Sequence, residues 1–210
     1  MERTTSIAVA KKILGINFIG PEELTLIADK MGIEIPSVIP VISFSLEELI
    51  NKQKDYLLIL GISQMKNGVS LTIKSLRDRF GINPDISEPC FYNQDWYLNE
   101  RFIERNLENK WYLVRKNVFD ESRGKNPDNM EKHYSLPTAI ICAFAFFTNN
   151  FVNKGELLWE HDFIWCKDID CNGDRIYVGK YHDIKEINKN GFSIHRHLSI
   201  RNNYGSIEVF

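Results

Sequence analysis

Apolar residues recur at helical spacing near the start of the chain, where Ile7, Ala10 and Leu14 form one stripe that stops at Gly15 and Leu24, Ile27, Ala28 and Met31 form a second. The second stripe is bounded by Pro21, suited to a first helical position, and Gly32, suited to a left-handed close, with Glu22 and Glu23 placed to complement the helix dipole. Residues 34–43 are apolar but interrupted by Pro36 and Pro40, which favours an extended crossing segment or an edge strand. Ser45 and Glu48 make a capping box flanked by Phe44 and Leu49, so a helix is predicted over residues 45–54. The continuous apolar run of residues 56–62, YLLILGI, predicts a strand buried on both faces. Ser70 is the expected cap of a helix over residues 71–80 that turns Ile73, Leu76 and Phe80 inward and closes at Gly81.

The second half begins with an aromatic-rich passage that predicts a helix over residues 95–107, with Leu98, Phe102 and Leu107 inward, and a strand over residues 110–118. The polar stretch 120–135, with Gly124 and Pro127, reads as a surface loop. Ser135 is the expected cap of a helix over residues 136–150 whose centre, residues 139–147, is apolar on every side and should be wrapped by the rest of the fold. Residues 157–166 then alternate, with Leu157, Trp159, Phe163 and Trp165 on one face, and residues 175–181 alternate likewise. Asn172 and Gly173, near the end of the polar loop 167–174, predict a hairpin joining the two. Residues 192–201 read as a third strand, with Phe192, Ile194, Leu198 and Ile200 on one face, interrupted by Arg196, and Ser193, His195, His197, Ser199 and Arg201 on the other. The expected fold class is α+β: a helical N-terminal two-thirds with a buried helix near residues 136–150 packed on a C-terminal antiparallel sheet. Residues 1–210 are expected to form a single domain, in which residues 1–54 could be a semi-independent helical segment.

Composition narrows the function classes. With 210 residues, 43% of them hydrophobic, the chain can bury a sizeable core, and a net charge of -2 provides no overall field for a nucleic-acid backbone or an anionic membrane. The longest apolar run, residues 139–147, falls well short of the roughly 18 residues of a membrane span. No signal-peptide pattern opens the chain, and Cys90, Cys142, Cys166 and Cys171 are scattered without any CxxC pair, so a soluble, cytoplasmic protein with reduced thiols is expected.

The candidate chemistry gathers in the C-terminal third. Asp168, Asp170 and Asn172 alternate and are followed by Gly173 and Asp174, which resembles the first half of a calcium-binding loop. An EF-hand is excluded, because the position of its bidentate Glu is Gly179, so a calcium or magnesium ion here would need a further carboxylate from Glu160, Asp183 or Glu186. The plainer reading of Asp168, Asp170, Asn172 and Asp174 is turn chemistry at a hairpin tip. His195 and His197 would face the same side of one strand, where His161, Cys166, Cys171 and His182 are the available partners for a transition metal, although zinc-type spacing is lacking and a solvated polar face is favoured. Glu160 and Asp162, with His195 and His197, are the candidate catalytic residues of a metal-dependent hydrolase. The phosphate-loop, GxSxG, HExxH and dinucleotide-binding patterns are missing, and the charges of the second helix make a poor DNA-reading surface. The aromatics Phe91, Tyr92, Trp96, Tyr97, Trp111 and Tyr112 near Arg101, Arg105 and Arg115 are read as packing in preference to a stacking platform. The expected function is therefore a non-catalytic binding or protein-interaction module for an unspecified protein or small-molecule ligand, with the metal-dependent hydrolase as the alternative.

Overall fold

In a computed structural model that describes residues 4–182, 190–197 and 199–210, the local signals of the N-terminal half become short, well-capped elements. Helix α1 (Ile7–Leu14) starts at Ser6, whose hydroxyl accepts from the Val9 amide, and ends where Gly15 takes a positive φ of 56°. Strand β1 (Phe18–Ile19) leads into α2 (Pro21–Met31), where the Glu23 carboxylate accepts from the Gly20 amide at 2.9 Å and Gly32 closes the helix in the left-handed region. Helix α3 (Leu46–Lys52) has the capping box expected of Ser45 and Glu48. Strand β2 (Tyr56–Leu60) is buried at every position, lies parallel to β1 and pairs antiparallel with β3 (Trp111–Arg115).

Two expected helices are changed by tertiary demands. Helix α4 (Ile73–Phe80) is capped by Thr72, because Ser70 is held in an extended ribbon opposite Gln64 and the Leu71 amide donates to Ser63. The helix expected over residues 95–107 is a chain of turns with one 3-10 turn, Arg101–Glu104. The adjacent rings Trp96 and Tyr97 are both anchored, the Trp96 indole donating to Ile194 O at 3.0 Å and Tyr97 being buried, while Arg77 fixes Gln94 O and Asp95. Consecutive side chains pulled in different directions are incompatible with one helical face.

Helix α6 (Ala139–Val152) follows the single-turn α5 (Pro127–Met130) and is the centre of the molecule, with every residue from Ala139 to Asn149 buried. It begins later than Ser135. Pro137 disfavours a helical Leu136, and Ser135 O is occupied by the Val209 amide, so the chain is still extended there. On one side α6 packs against α2 and α4, where Phe147 stacks on Phe80 with centroids 4.4 Å apart. On the other lies the second sheet, in which Phe146 meets Phe192 and Tyr181.

That sheet has the order β6-β5-β4-β7, built from β4 (Phe163–Ile169), β5 (Arg175–Gly179), β6 (Ser193–Arg196) and β7 (Tyr204–Gly205). The hairpin and a third strand beside it are present, the third confined to Ser193–Arg196 where residues 192–201 are expected, but β7 runs parallel to β4, so the sheet is mixed and not purely antiparallel. The fold is a mixed α/β arrangement of six α-helices and two mixed sheets among the described residues, and its first two-thirds carries a sheet of its own instead of being mainly helical. Among these residues no helix is long and apolar enough to cross a membrane.

The strand expected to start at residue 157 begins only at Phe163. Trp159 adopts φ 52° and residues 159–162 turn, with the Lys180 amide donating to both Trp159 O and Asp162 O. Both faces of β4 are buried over its first four residues. Ile164 and Cys166 join the main core beside α6, while Phe163 and Trp165 point away and build a second buried cluster with Tyr177 and Tyr204.

Candidate functional site

Alternation along β4 decides the fate of Asp168. Ile164 and Cys166 face α6, so Asp168, two residues on, points to the same side and arrives at the helix N-terminus, where it is 2% exposed. Its Oδ2 accepts from the Ala139 amide at 2.6 Å, supplying the cap that Thr138 does not, and its Oδ1 lies 2.9 Å from Arg105 Nε as an ion pair. Burial raises the carboxyl above its usual range, opposed by the Ala139 amide and the charges of Arg105 and Lys167.

Asp168 floors a cleft of about 740 Å³ whose walls come from the 3-10 turn, Glu100, Arg101, Phe102 and Arg105, and from the end of β4 with Lys167. Arg101 and Lys167 are exposed, and neither side chain forms an ion pair or hydrogen bond among the described residues. Glu100 is engaged, since its Oε2 accepts from the Cys171 amide at 2.8 Å. Arg105 and Lys167 also border a neighbouring groove of about 400 Å³ that runs past Tyr112 and Leu136 to Phe210. The exposed Cys171 thiol at the cleft rim is held above its ordinary range, first by its hydrogen bond to Glu100 and then by burial.

The loop that resembles half a calcium site is a turn. Asp170 Oδ1 accepts from the amides of Asn172 at 2.8 Å and Asp174 at 2.9 Å, and its Oδ2 faces the Asn172 side-chain nitrogen and Arg196. Burial pushes Asp170 up, but those amides and Arg196 outweigh it and leave the carboxyl below its usual range. Asp168 is spent on the helix, Asp170 on the turn, and Asn172 turns its nitrogen inward, so the oxygens of Asp168, Asp170, Asn172 and Asp174 do not converge. Asp183 and Glu186 lie outside the described residues, as does Leu198 of the third strand.

The four candidate catalytic residues are likewise dispersed among separate tasks. Asp162 is clamped by Arg123 through two hydrogen bonds of 2.6 and 2.9 Å, and Glu160 is exposed beside His161. His195 stacks on Tyr177, with centroids 5.3 Å apart, meets the edge of Phe163 and contacts Gln94. Burial, helped by Lys180, lowers its pKa to about 4. His197 meets Trp165 edge-on at 5.3 Å. The face expected to be polar and solvated is therefore an aromatic layer. Among the described residues no group of three or more His, Cys, Asp or Glu side chains could hold a metal ion.

No protein-family model, curated protein or solved structure matches this chain. In the sequence Arg101 and Arg105 stand out only as neighbours of aromatics, Lys167 only as the first residue of the polar loop 167–174, and Glu100 not at all. The signal that could have joined them is the parity of Ile164, Cys166 and Asp168, which carries a carboxylate onto the buried face of a strand and so demands cationic or N–H partners there.

Proposed function

We propose that the chain is a non-catalytic binding module for a small anionic molecule, taken up in the cleft above Asp168. The observation that carries this reading is the pair Arg101 and Lys167, two cations on the walls of one concave site with no carboxylate partner among the described residues. Asp168 is the fixed part of the same site, tied to the start of the central helix, with Arg105 as its ion-pair partner on the cleft side. Guanidinium and ammonium groups so placed suit a carboxylate or phosphate, the former as a fork and the latter as a point charge.

The test is a thermal-shift titration with inorganic phosphate at constant ionic strength. A ligand that binds only the folded chain stabilises it by about 2.7 kcal/mol at one hundred times its Kd, which raises the melting temperature by roughly 5 to 11 °C in a chain of this size. That rise should vanish in Arg101→Ala with Lys167→Ala and persist in Lys12→Ala, an exposed lysine that lines no part of the cleft. No rise in the wild type, or an equal rise in the double variant, rejects the reading.

A further inference from the structure

The two oxygens of Asp168 meet different surroundings. Oδ2 is satisfied by the Ala139 amide, whereas Oδ1 has no aligned hydrogen-bond donor among the described residues and meets only its ion-pair partner, Arg105 Nε at 2.9 Å. The Asp168 side chain is 1% exposed, and buried carboxylate oxygens almost always accept a donor. Other buried polar atoms without partners, among them Tyr97 Oη, Trp159 Nε1 and Trp165 Nε1, line neither this cleft nor the groove beside it. This oxygen of Asp168 is thus set apart by its place in a cleft whose walls bear Arg101 and Lys167, which have no ion-pair partner among the described residues.

We propose that the ligand is an anion that also carries a hydroxyl group, the hydroxyl donating to Asp168 Oδ1 while the anionic group lies between Arg101 and Lys167. This rests on the anion-binding reading of the cleft and narrows it to hydroxylated carboxylates or phosphates. A neutral donor fits this oxygen, because Arg105 and Lys167 both act on the same carboxylate and remain in the cleft when Arg105 turns, so an ammonium group would add a further cation there. Arg105 is half exposed, with 49% of its side chain accessible, so it can swing from Asp168 toward an arriving anion with little loss of packing and uncover Oδ1 as it moves. Asp170 cannot take this part, since the hairpin turn occupies its carboxylate.

The experiment compares glycerol phosphate, propyl phosphate and aminopropyl phosphate on the full chain by calorimetry at fixed ionic strength, with amide shifts followed by NMR. Glycerol phosphate should bind about tenfold tighter than propyl phosphate, as a hydrogen bond to a charged acceptor allows. It should also shift the Ala139 amide, which propyl phosphate should leave in place. In Asp168→Asn, which keeps an oxygen for that amide, the preference should collapse to about onefold. Equal affinities in the wild type, or a preference retained in Asp168→Asn, overturn the hydroxyl contact while leaving an anion site. Tighter binding of aminopropyl phosphate overturns it in favour of an ammonium. Failure of all three to bind removes the anion-binding reading as well. Should Asp168→Asn not fold, the wild-type affinity ratio and the Ala139 shift decide alone.

Discussion

His195 shows how much a single side chain can owe to its surroundings. On a solvated strand face its imidazole would titrate near 6.5, but stacked on Tyr177 and edged by Phe163, with Gln94 as its polar contact and Lys180 opposing a positive charge, it titrates near 4. The sign of the consequence follows from which state binds the proton. Below about 6.5 the unfolded chain takes up a proton that the native chain refuses until about 4, so stability is full above the unfolded value and is lost as pH falls between the two. A gap of this size amounts to about 3 kcal/mol at most, at 1.36 kcal/mol per unit. Between pH 7.5 and 4.5, urea midpoints should therefore show the wild type losing about 2 to 3 kcal/mol more than His195→Phe, which keeps the aromatic layer and removes the proton site. Equal acid sensitivity in the two proteins would mean that His195 is not the group refusing the proton. This position was half legible in the sequence: alternation put His195 opposite Ile194 correctly, but it could not tell that the opposite face would be paved by Phe163, Trp165, Tyr177 and Tyr204, because those rings come from three other strands.

Elements whose signals are local formed as their residues dictate. The capping box of Ser45 and Glu48, the Pro21 and Gly32 ends of α2 and the Asn172-Gly173 turn each satisfy their own backbone groups within a few residues, and the run 56–60 is apolar at every position, which marks it as a buried strand whatever its partners. Elements whose limits depend on distant partners did not. The start of α6 is set by Pro137, by a hydrogen bond from Val209 and by a carboxylate from β4, and the helix expected over residues 95–107 yields to anchors on β6 and α4. The cleft is built from those same places, so it could not be read from the chain any better than they could. For α6 itself the all-round apolar run was decisive, and its burial permits a quantitative statement. Phe146 is fully buried between Tyr181, Phe192 and Phe147, so Phe146→Ala should lower stability by about 3 to 5 kcal/mol, measured as a shift in denaturant midpoint without a change in slope. A loss below about 1 kcal/mol would mean that the helix is not enclosed by both of its neighbouring layers.

At the scale of the whole molecule, one connected core unites pieces that the sequence suggested could separate. Ala10, Leu14, Leu24, Met31 and Leu49, all from residues 1–54, belong to the same buried cluster as α6 and the second sheet, and β1 adds a parallel edge to β2. Helix α2 packs directly on α6. A segment whose apolar face is completed by the rest of the chain has no core of its own to keep it folded once that contact opens. We therefore expect residues 1–54 to unfold together with the remainder. Native-state hydrogen exchange resolves the question residue by residue, because each amide reports the free energy of the smallest opening that exposes it. The slowest amides of α2, near Ile27 and Ala28, should exchange with the same free energy and the same denaturant dependence as those of α6 near Ala143 and Phe144, both equal to the global unfolding value. Openings of α2 that are several kcal/mol easier, with a shallow denaturant dependence, would instead identify residues 1–54 as a unit that detaches while α6 and the second sheet stay folded.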